Sequence, residues 1–361
     1  MSYFPPRIEK MSGYVPGEQP TKSDVIKLNT NENPYPPSPR VMETLRRADP
    51  EQLRRYPHPM GQAFREAAAK VLGVTPDMIL CGNGADDVLN IAIRSLTDGE
   101  HGMAWPGPTY TLCAVLAELH GCQVLEVPFG PDYSLPLDEL VGAAASLTYV
   151  CNPNSPTATF VEPTDLADLA RRLRGVLLID EAYADFAAQN CLPLAGELPN
   201  VLVVRTLSKG YSLAGLRFGY AVGSPGLIAG LAKAKDSFNV DALSIAAATA
   251  AIQDQAYFRQ NVERVCGERE RLGAGLTKLG IAPLPSQANF VFARCPSPPA
   301  GRVYQALKNR NILVRHFDQP GLSDWLRITV GTPDQNDALL NELARIMQSA
   351  SQSKGAEDGQ T

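Results

Sequence analysis

Short apolar runs alternate with Ala/Leu-rich helical segments from residue 38 to residue 250, and this alternation limits the chain more than any other feature. The runs are MILC (78–81), GMAW (102–105), QVLEV (123–127), LTYVC (147–151), VLLID (176–180), VLVVR (201–205) and FGYAV (218–222). Helical spacing shows in QAFREAAAKVLG (62–73), DLADLARRLRG (165–175) and LSIAAATAAIQ (243–253). Such alternation predicts an α/β fold with a mainly parallel sheet of seven strands between helices. After residue 255 the order changes to a long helix (259–280), strand-like ANFVFARC (288–295), a helix (300–311), ILVRHF (312–317), WLRITVG (325–331) and a last helix (333–349). That pattern predicts a smaller α+β domain. The expected divisions are an irregular Pro- and Asn-rich arm (1–36), a large domain (37–255), a small domain (256–349) and a polar, disordered tail (350–361).

Net charge is −5 and no basic cluster occurs, which argues against nucleic-acid binding. The seven cysteines are irregularly spaced and the four histidines are scattered singly. Free thiols in a reducing compartment are expected, and no metal site. The start MSYFPPRIEK has no apolar leader core, and no run is long enough to span a bilayer. A cytoplasmic protein is expected.

Parallel α/β sheets place their sites at the carboxyl ends of strands. Lys209 stands just past VLVVR, where a surface cation is out of place. A lysine there either meets solvent by chance or does covalent chemistry as a neutral amine, which needs a pKa below the usual ~10.4. Thr206 and Ser208 beside it, with Arg217 eight residues on, suit a phosphate. Asp180 closes the apolar run VLLID, where a carboxylate either holds a protonated ring nitrogen or serves as a cap or metal ligand, the last with no His near it in sequence; Tyr183 follows it. GNGADD (82–87) offers the N–H groups of Ala85 and Asp86 at a helix start, although a tight turn with an Asp explains that stretch equally well. Tyr110, after WPGPT, could pack in the core or stack on a flat ring. Pyridoxal phosphate requires all four parts together: a lysine, an acid, a phosphate cradle and a stacking ring.

With those motifs the chain resembles the fold-type I aminotransferases, and among them the histidinol-phosphate aminotransferase family. The likeness runs from YVPG (14–17) through LNTNENPYPPS (28–38), RYP (55–57), NPNSPT (152–157), DEAYADF (180–186) and TLSKGYSLAGLRFGY (206–220) to SQANFVF (286–292), LVRHF (313–317) and LRITVGT (326–332). It implies that Lys209 binds pyridoxal 5'-phosphate as a Schiff base and then shuttles a proton. Asp180 would pair with the ring nitrogen, Tyr183 with the ring hydroxyl, and Tyr110 would stack. Ala85, Asp86, Thr206, Ser208 and Arg217 would hold the phosphate. Tyr56 would reach the cofactor of a partner subunit, which implies a homodimer. Arg327 would grip the substrate anion, with Arg315, Tyr14 and Asn31 nearby. Ser155 stands where the family commonly has an Asn for the ring hydroxyl, so Ser155 or neighbouring Asn154 would take that contact. The implied reaction is transamination between L-histidinol phosphate and 2-oxoglutarate. Aromatic amino acids as donors, or phosphothreonine decarboxylation, remain open alternatives on the same scaffold.

Overall fold

The computed structural model describes residues 3–21, 24–98, 100, 102–295 and 297–358, with side chains described up to residue 349. Its strands are β1 (Ile26–Lys27), β2 (Ile79–Gly82), β3 (Met103–Gly107), β4 (Val124–Pro128), β5 (Leu147–Cys151), β6 (Val176–Asp180), β7 (Val201–Thr206), β8 (Gly219–Gly223), β9 (Ala282–Pro283), β10 (Phe290–Arg294), β11 (Ile312–Leu313), β12 (Arg315–His316) and β13 (Trp325–Thr329).

Seven of them form one sheet in the order β2-β8-β7-β6-β5-β3-β4. In the six strands other than edge strand β4, which is mostly exposed, alternate residues feed two separate cores. Leu177 and Ile179 face one core while Leu178 faces the other; Val201 and Val203 part from Leu202 and Val204 in the same way. Both faces are covered, so the strands read as continuous apolar runs rather than alternating ones. Each Leu or Val so buried contributes ~1.5–3 kcal/mol.

Strand pairs β3–β4, β3–β5, β5–β6 and β6–β7 are parallel. Only β8 runs against the others, antiparallel to both β7 and β2. The loop from β7 to β8 has one short 3-10 turn, Ala214–Leu216, and no crossover helix of the kind a parallel return requires. Two consequences place the site. The carboxyl ends of β2, β3, β5, β6 and β7 share one edge, and the amino end of β8 joins them there.

The smaller sheet, β12-β13-β10-β9, is antiparallel. Val291, Leu326 and Ile328 pack on Val303 and Leu307 of the helix Ala300–Asn309, and on Leu272 and Leu276 of the long helix Gln255–Lys278. Asp254 breaks that long helix from the preceding Ala242–Gln253, and Ser38 donates a hydrogen bond to its carboxylate at 2.5 Å.

The arm differs from the irregular segment expected. It holds a short helix, Pro6–Lys10, and β1, which pairs in parallel with β11. Ile26 N–H donates to Asn311 at 2.8 Å and Leu28 N–H to Leu313 at 2.7 Å. A strand of two residues has no period to read, and its partner lies nearly 290 residues away. The last helix spans Pro333–Asp358, longer than the segment expected to end at 349. Residues 359–361, and the side chains from 350 onward, lie outside the described residues; the backbone of 350–358, within the tail expected to be disordered, continues this helix.

Candidate active site

A cavity of about 360 Å³ opens at the shared strand edge. Lys209, Asp180, Tyr183, Tyr110, Ala85, Asp86, Ser155, Thr206, Ser208, Arg217, Tyr14, Asn31, Arg315 and Arg327 all line it. They come from positions 14 to 327, so the fold gathers nearly every residue singled out in the sequence.

Lys209 is half-buried, and its Nζ donates to the Thr30 carbonyl at 3.0 Å. Its pKa is pushed down to about 8, first by burial and then by the positive charges of Arg327 and Arg217, while Glu32 and Asp86 oppose. The lowered pKa gives the amine a far larger neutral fraction near pH ~7 than a solvated lysine has, which favours it as a nucleophile.

Asp180 ends β6 and is buried. Burial raises its carboxyl pKa to about 6. Two donors oppose that rise: Tyr149 O–H to Oδ2 at 2.9 Å and Ala182 N–H to Oδ1 at 3.1 Å. Burial likewise pushes the Tyr183 hydroxyl up to about 12, against the pull of Arg327 and Asn31. Asn31 Nδ2 donates to Tyr183 Oη at 3.0 Å, and Thr329 donates to Asn31 Oδ1 at 3.1 Å. Asn31 itself is fully buried, so it orients Tyr183 as well as bordering the cavity.

Ala85 and Asp86 begin the helix Ala85–Leu96, where the first N–H groups have no carbonyl partner within the helix. Thr206 and Ser208 hydroxyls bond each other at 3.0 Å beside them. Arg217 precedes β8 and pairs with the Asp86 carboxylate at 3.0 Å. Two glycines keep this cradle open. A Cβ on Gly219 would come within 2.3 Å of the Ala85 nitrogen, and one on Gly84 within 2.7 Å of Arg217 Nη2. A helix start, two hydroxyls and an arginine fit a phosphate ester. With Lys209 and Asp180 beyond it, the set fits pyridoxal phosphate. Tyr110 donates to Asp86 at 3.3 Å and meets Tyr14 edge-on, 6.0 Å between ring centres.

The small sheet supplies a second anion site. Arg315 on β12 and Arg327 on β13 are direct cross-strand partners. Like charges so placed repel, and neither has a carboxylate partner among the described residues. Both guanidiniums lie against the Phe317 ring, at 5.6 and 5.7 Å. Arg327 donates to Ser155 Oγ at 3.1 Å and to the Asn29 carbonyl at 3.0 Å, yet its buried Nε has no partner. Burial and Arg315 lower the Arg327 pKa. An anion held between the two guanidiniums would offset their mutual repulsion.

Two expected residues lie elsewhere. Asn154 does not enter the cavity. It is buried and fully engaged: Nδ2 donates to Pro108 at 3.0 Å and to Thr157 at 2.8 Å, and Oδ1 accepts from Thr109 at 2.8 Å. Its side chain ties two loops together, which leaves Ser155 as the residue of that pair facing the cavity. Tyr56 is 82% exposed and stacks on Phe238, 4.5 Å between ring centres, outside this chain's cavity. Conversely, Thr30, Glu32, Phe317 and Tyr149 were not singled out. Thr30 and Glu32 sit in the matched stretch LNTNEN, while Tyr149 is hidden inside an apolar strand run.

Among the described residues no helix is long and apolar enough to cross a membrane, and no His, Cys, Asp and Glu group could hold a metal ion. The family model for aminotransferase class I and II matches residues 23–343. Histidinol-phosphate aminotransferase 1 of Nostoc sp. is 48% identical over 349 residues, which cover 96% of this chain and 99% of that one. Histidinol-phosphate aminotransferase of Rhodopirellula baltica is 44% identical over 350 residues, 96% of each chain. A crystal structure of histidinol-phosphate aminotransferase from Sinorhizobium meliloti, in complex with pyridoxal-5'-phosphate, matches with a TM-score of 0.87 at 28% identity, over 97% of this chain and 98% of that one. On its motifs, its sheet order and these likenesses, the chain belongs to the aminotransferase class I and II family.

Proposed function

We propose that this chain is a pyridoxal-phosphate-dependent aminotransferase of histidine biosynthesis, interconverting L-histidinol phosphate and 2-oxoglutarate with imidazole-acetol phosphate and L-glutamate. One observation carries the reading: Lys209 and Asp180 share a cavity with two arginines that have no carboxylate partner. Pyridoxal phosphate, when bound, supplies an electron sink for charge left at the substrate α-carbon and carries the amino group between the two half-reactions.

The chain's own residues do the rest. Ala85, Asp86, Thr206, Ser208 and Arg217 would hold the cofactor phosphate. Asp180 would hold its ring nitrogen, and Tyr183, steadied by Asn31, its hydroxyl, with Ser155 nearby. Tyr110 would lie against the ring. Lys209 would hold the group covalently and afterwards move a proton at the substrate α-carbon. Arg327 and Arg315 would grip a phosphate ester in one half-reaction and a distal carboxylate in the other, which suits two planar donors better than one. Tyr14, which also lines the cavity, would lie near the substrate anion.

The same reading makes the molecule a homodimer in which Tyr56 serves the partner's cofactor; its exposure beside Phe238 supports this. It divides the chain near Asp254 into a large and a small domain. It also makes the enzyme cytoplasmic, in keeping with seven free thiols.

The test is a half-reaction panel in which the bound cofactor is converted by histidinol phosphate, phenylalanine, tyrosine or phosphothreonine. Histidinol phosphate is expected to react fastest. A preference for phenylalanine, or release of CO₂ from phosphothreonine, would overturn the assigned substrate.

A further inference from the structure

Tyr149 belongs to no motif used above, yet it is the side chain nearest the chemistry of Asp180. It lies two residues before the end of β5, and Cys151 at that end is the register partner of Asp180 on β6. Tyr149, Cys151 and Leu178 share one face of the sheet, so the long phenol reaches along that face to the Asp180 carboxylate. The hydroxyl donates to Oδ2 at 2.9 Å. Tyr149 is wholly shielded from solvent and Asp180 nearly so, and the contact between them is direct.

The other donor to Asp180 is the Ala182 N–H on Oδ1 at 3.1 Å, which leaves Oδ2 to Tyr149. The Cys151 thiol donates to the Pro153 carbonyl at 3.3 Å. Burial holds both the Cys113 and Cys151 thiols far above their usual pKa, so they stay neutral and are weak donors. The nearby carboxylates of Asp86 and Glu181 favour protonation of Asp180. Burial, and then the Asp180 charge, keep the Tyr149 hydroxyl protonated throughout the working range, so it can only donate.

The cofactor-binding reading above supplies the next step. An acid and a ring nitrogen facing each other in a dry site share one proton, and its position depends on the relative basicity of the two. A donor on the far side of the carboxylate lowers carboxylate basicity. We infer that Tyr149 is a positioning residue that keeps the proton shared by Asp180 and the cofactor ring on the nitrogen rather than on the carboxyl. The transfer is between oxygen and nitrogen alone, with no other bond made or broken. With the proton on nitrogen the ring is the stronger electron sink, so Tyr149 acts on the reaction through Asp180 without touching substrate.

The experiment uses Tyr149→Phe, which keeps the ring and removes only the hydroxyl. Wild-type and variant holoenzymes are loaded with cofactor labelled with ¹⁵N at the ring nitrogen, whose NMR shift follows the average position of the proton. The variant signal is expected to move toward the unprotonated ring, with kcat reduced and KM for the amino donor little changed. A signal at the wild-type position, even with lowered thermal stability, would show a merely structural tyrosine and overturn the inference. Should Tyr149→Phe not fold, 3-fluorotyrosine placed at 149 retains the hydroxyl as a stronger donor and must move the signal the opposite way; no movement, or movement toward the unprotonated ring, overturns it equally. A wild-type protein that binds no labelled cofactor would instead defeat the reading on which this one rests.

Discussion

Lys209 owes its chemistry to where its charge is placed. Burial and the guanidinium of Arg327 both oppose protonation, and the amine is left with a pKa of about 8. Its capture of pyridoxal phosphate by the apoprotein should therefore accelerate with pH and level off above about 8. A solvated lysine would continue to gain up to ~10.4. Stopped-flow absorbance reads this directly. Arg327→Ala should move the inflection upward, and Lys209→Ala should abolish both transamination and the visible band of the lysine-bound cofactor. The stability of the apoprotein follows the same logic. Between the folded and unfolded pKa values the unfolded chain binds more protons at this residue, so its contribution makes the fold more stable as pH rises from about 8 toward ~10.4. Asp180 has the opposite slope. Its folded pKa of about 6 exceeds the unfolded ~3.9, and its contribution falls as pH rises between them. Asp180→Asn should flatten that part of the thermal-melting profile.

Antiparallel β8 matters most among the elements. Because it enters the sheet where its neighbours leave it, Arg217 and Gly219 face the helix start at Ala85. Gly219→Ala would place a methyl group 2.3 Å from the Ala85 nitrogen, against the backbone of Gly84 and Ala85. The cradle must then spread, and the variant should lose pyridoxal phosphate on dialysis while the apoprotein still melts cooperatively; spectrophotometric titration measures the loss. The cradle was largely legible in the sequence, because strand ends, glycines and polar residues follow one another in GNGADD and TLSKGYSLAGLR. Most of the strands were legible for a related reason: burial on both faces writes β2, β3, β5, β6, β7 and β8 as largely apolar runs, whereas the mostly exposed edge strand β4 keeps Glu126 within its run. Three features were not. β1 is two residues long and takes its order from β11, far along the chain. Tyr149 reads as one more core aromatic in LTYVC, since only the register of β5 on β6 brings it to Asp180. Asn154 reads as a ligand by its neighbourhood, but its side chain turns toward Pro108, Thr109 and Thr157, and sequence adjacency gives no hint of that direction.

At the level of the whole molecule, the exposed Tyr56–Phe238 stack is the feature a lone chain leaves unused. If Tyr56 completes the partner's site, two inactive variants should repair each other. Tyr56→Ala subunits mixed with Lys209→Ala subunits would form dimers in which one site has both the lysine and the tyrosine. Random exchange should then restore roughly a quarter of wild-type sites, because half the dimers are mixed and each holds one complete site. Activity and cofactor content measured after exchange would show it, and absence of recovery would place Tyr56 in its own chain's site or in none. A last consequence follows from the segment 28–33. Leu28 is fixed by backbone bonds to Leu313 and Thr329, and its neighbours give Lys209 the Thr30 carbonyl, Arg327 the Asn29 carbonyl and Tyr183 the Asn31 amide. This stretch thus docks on strands that lie nearly 300 residues later in the sequence. The polar set of this pocket is therefore complete only when segment 28–33, the large sheet and the small sheet are packed together.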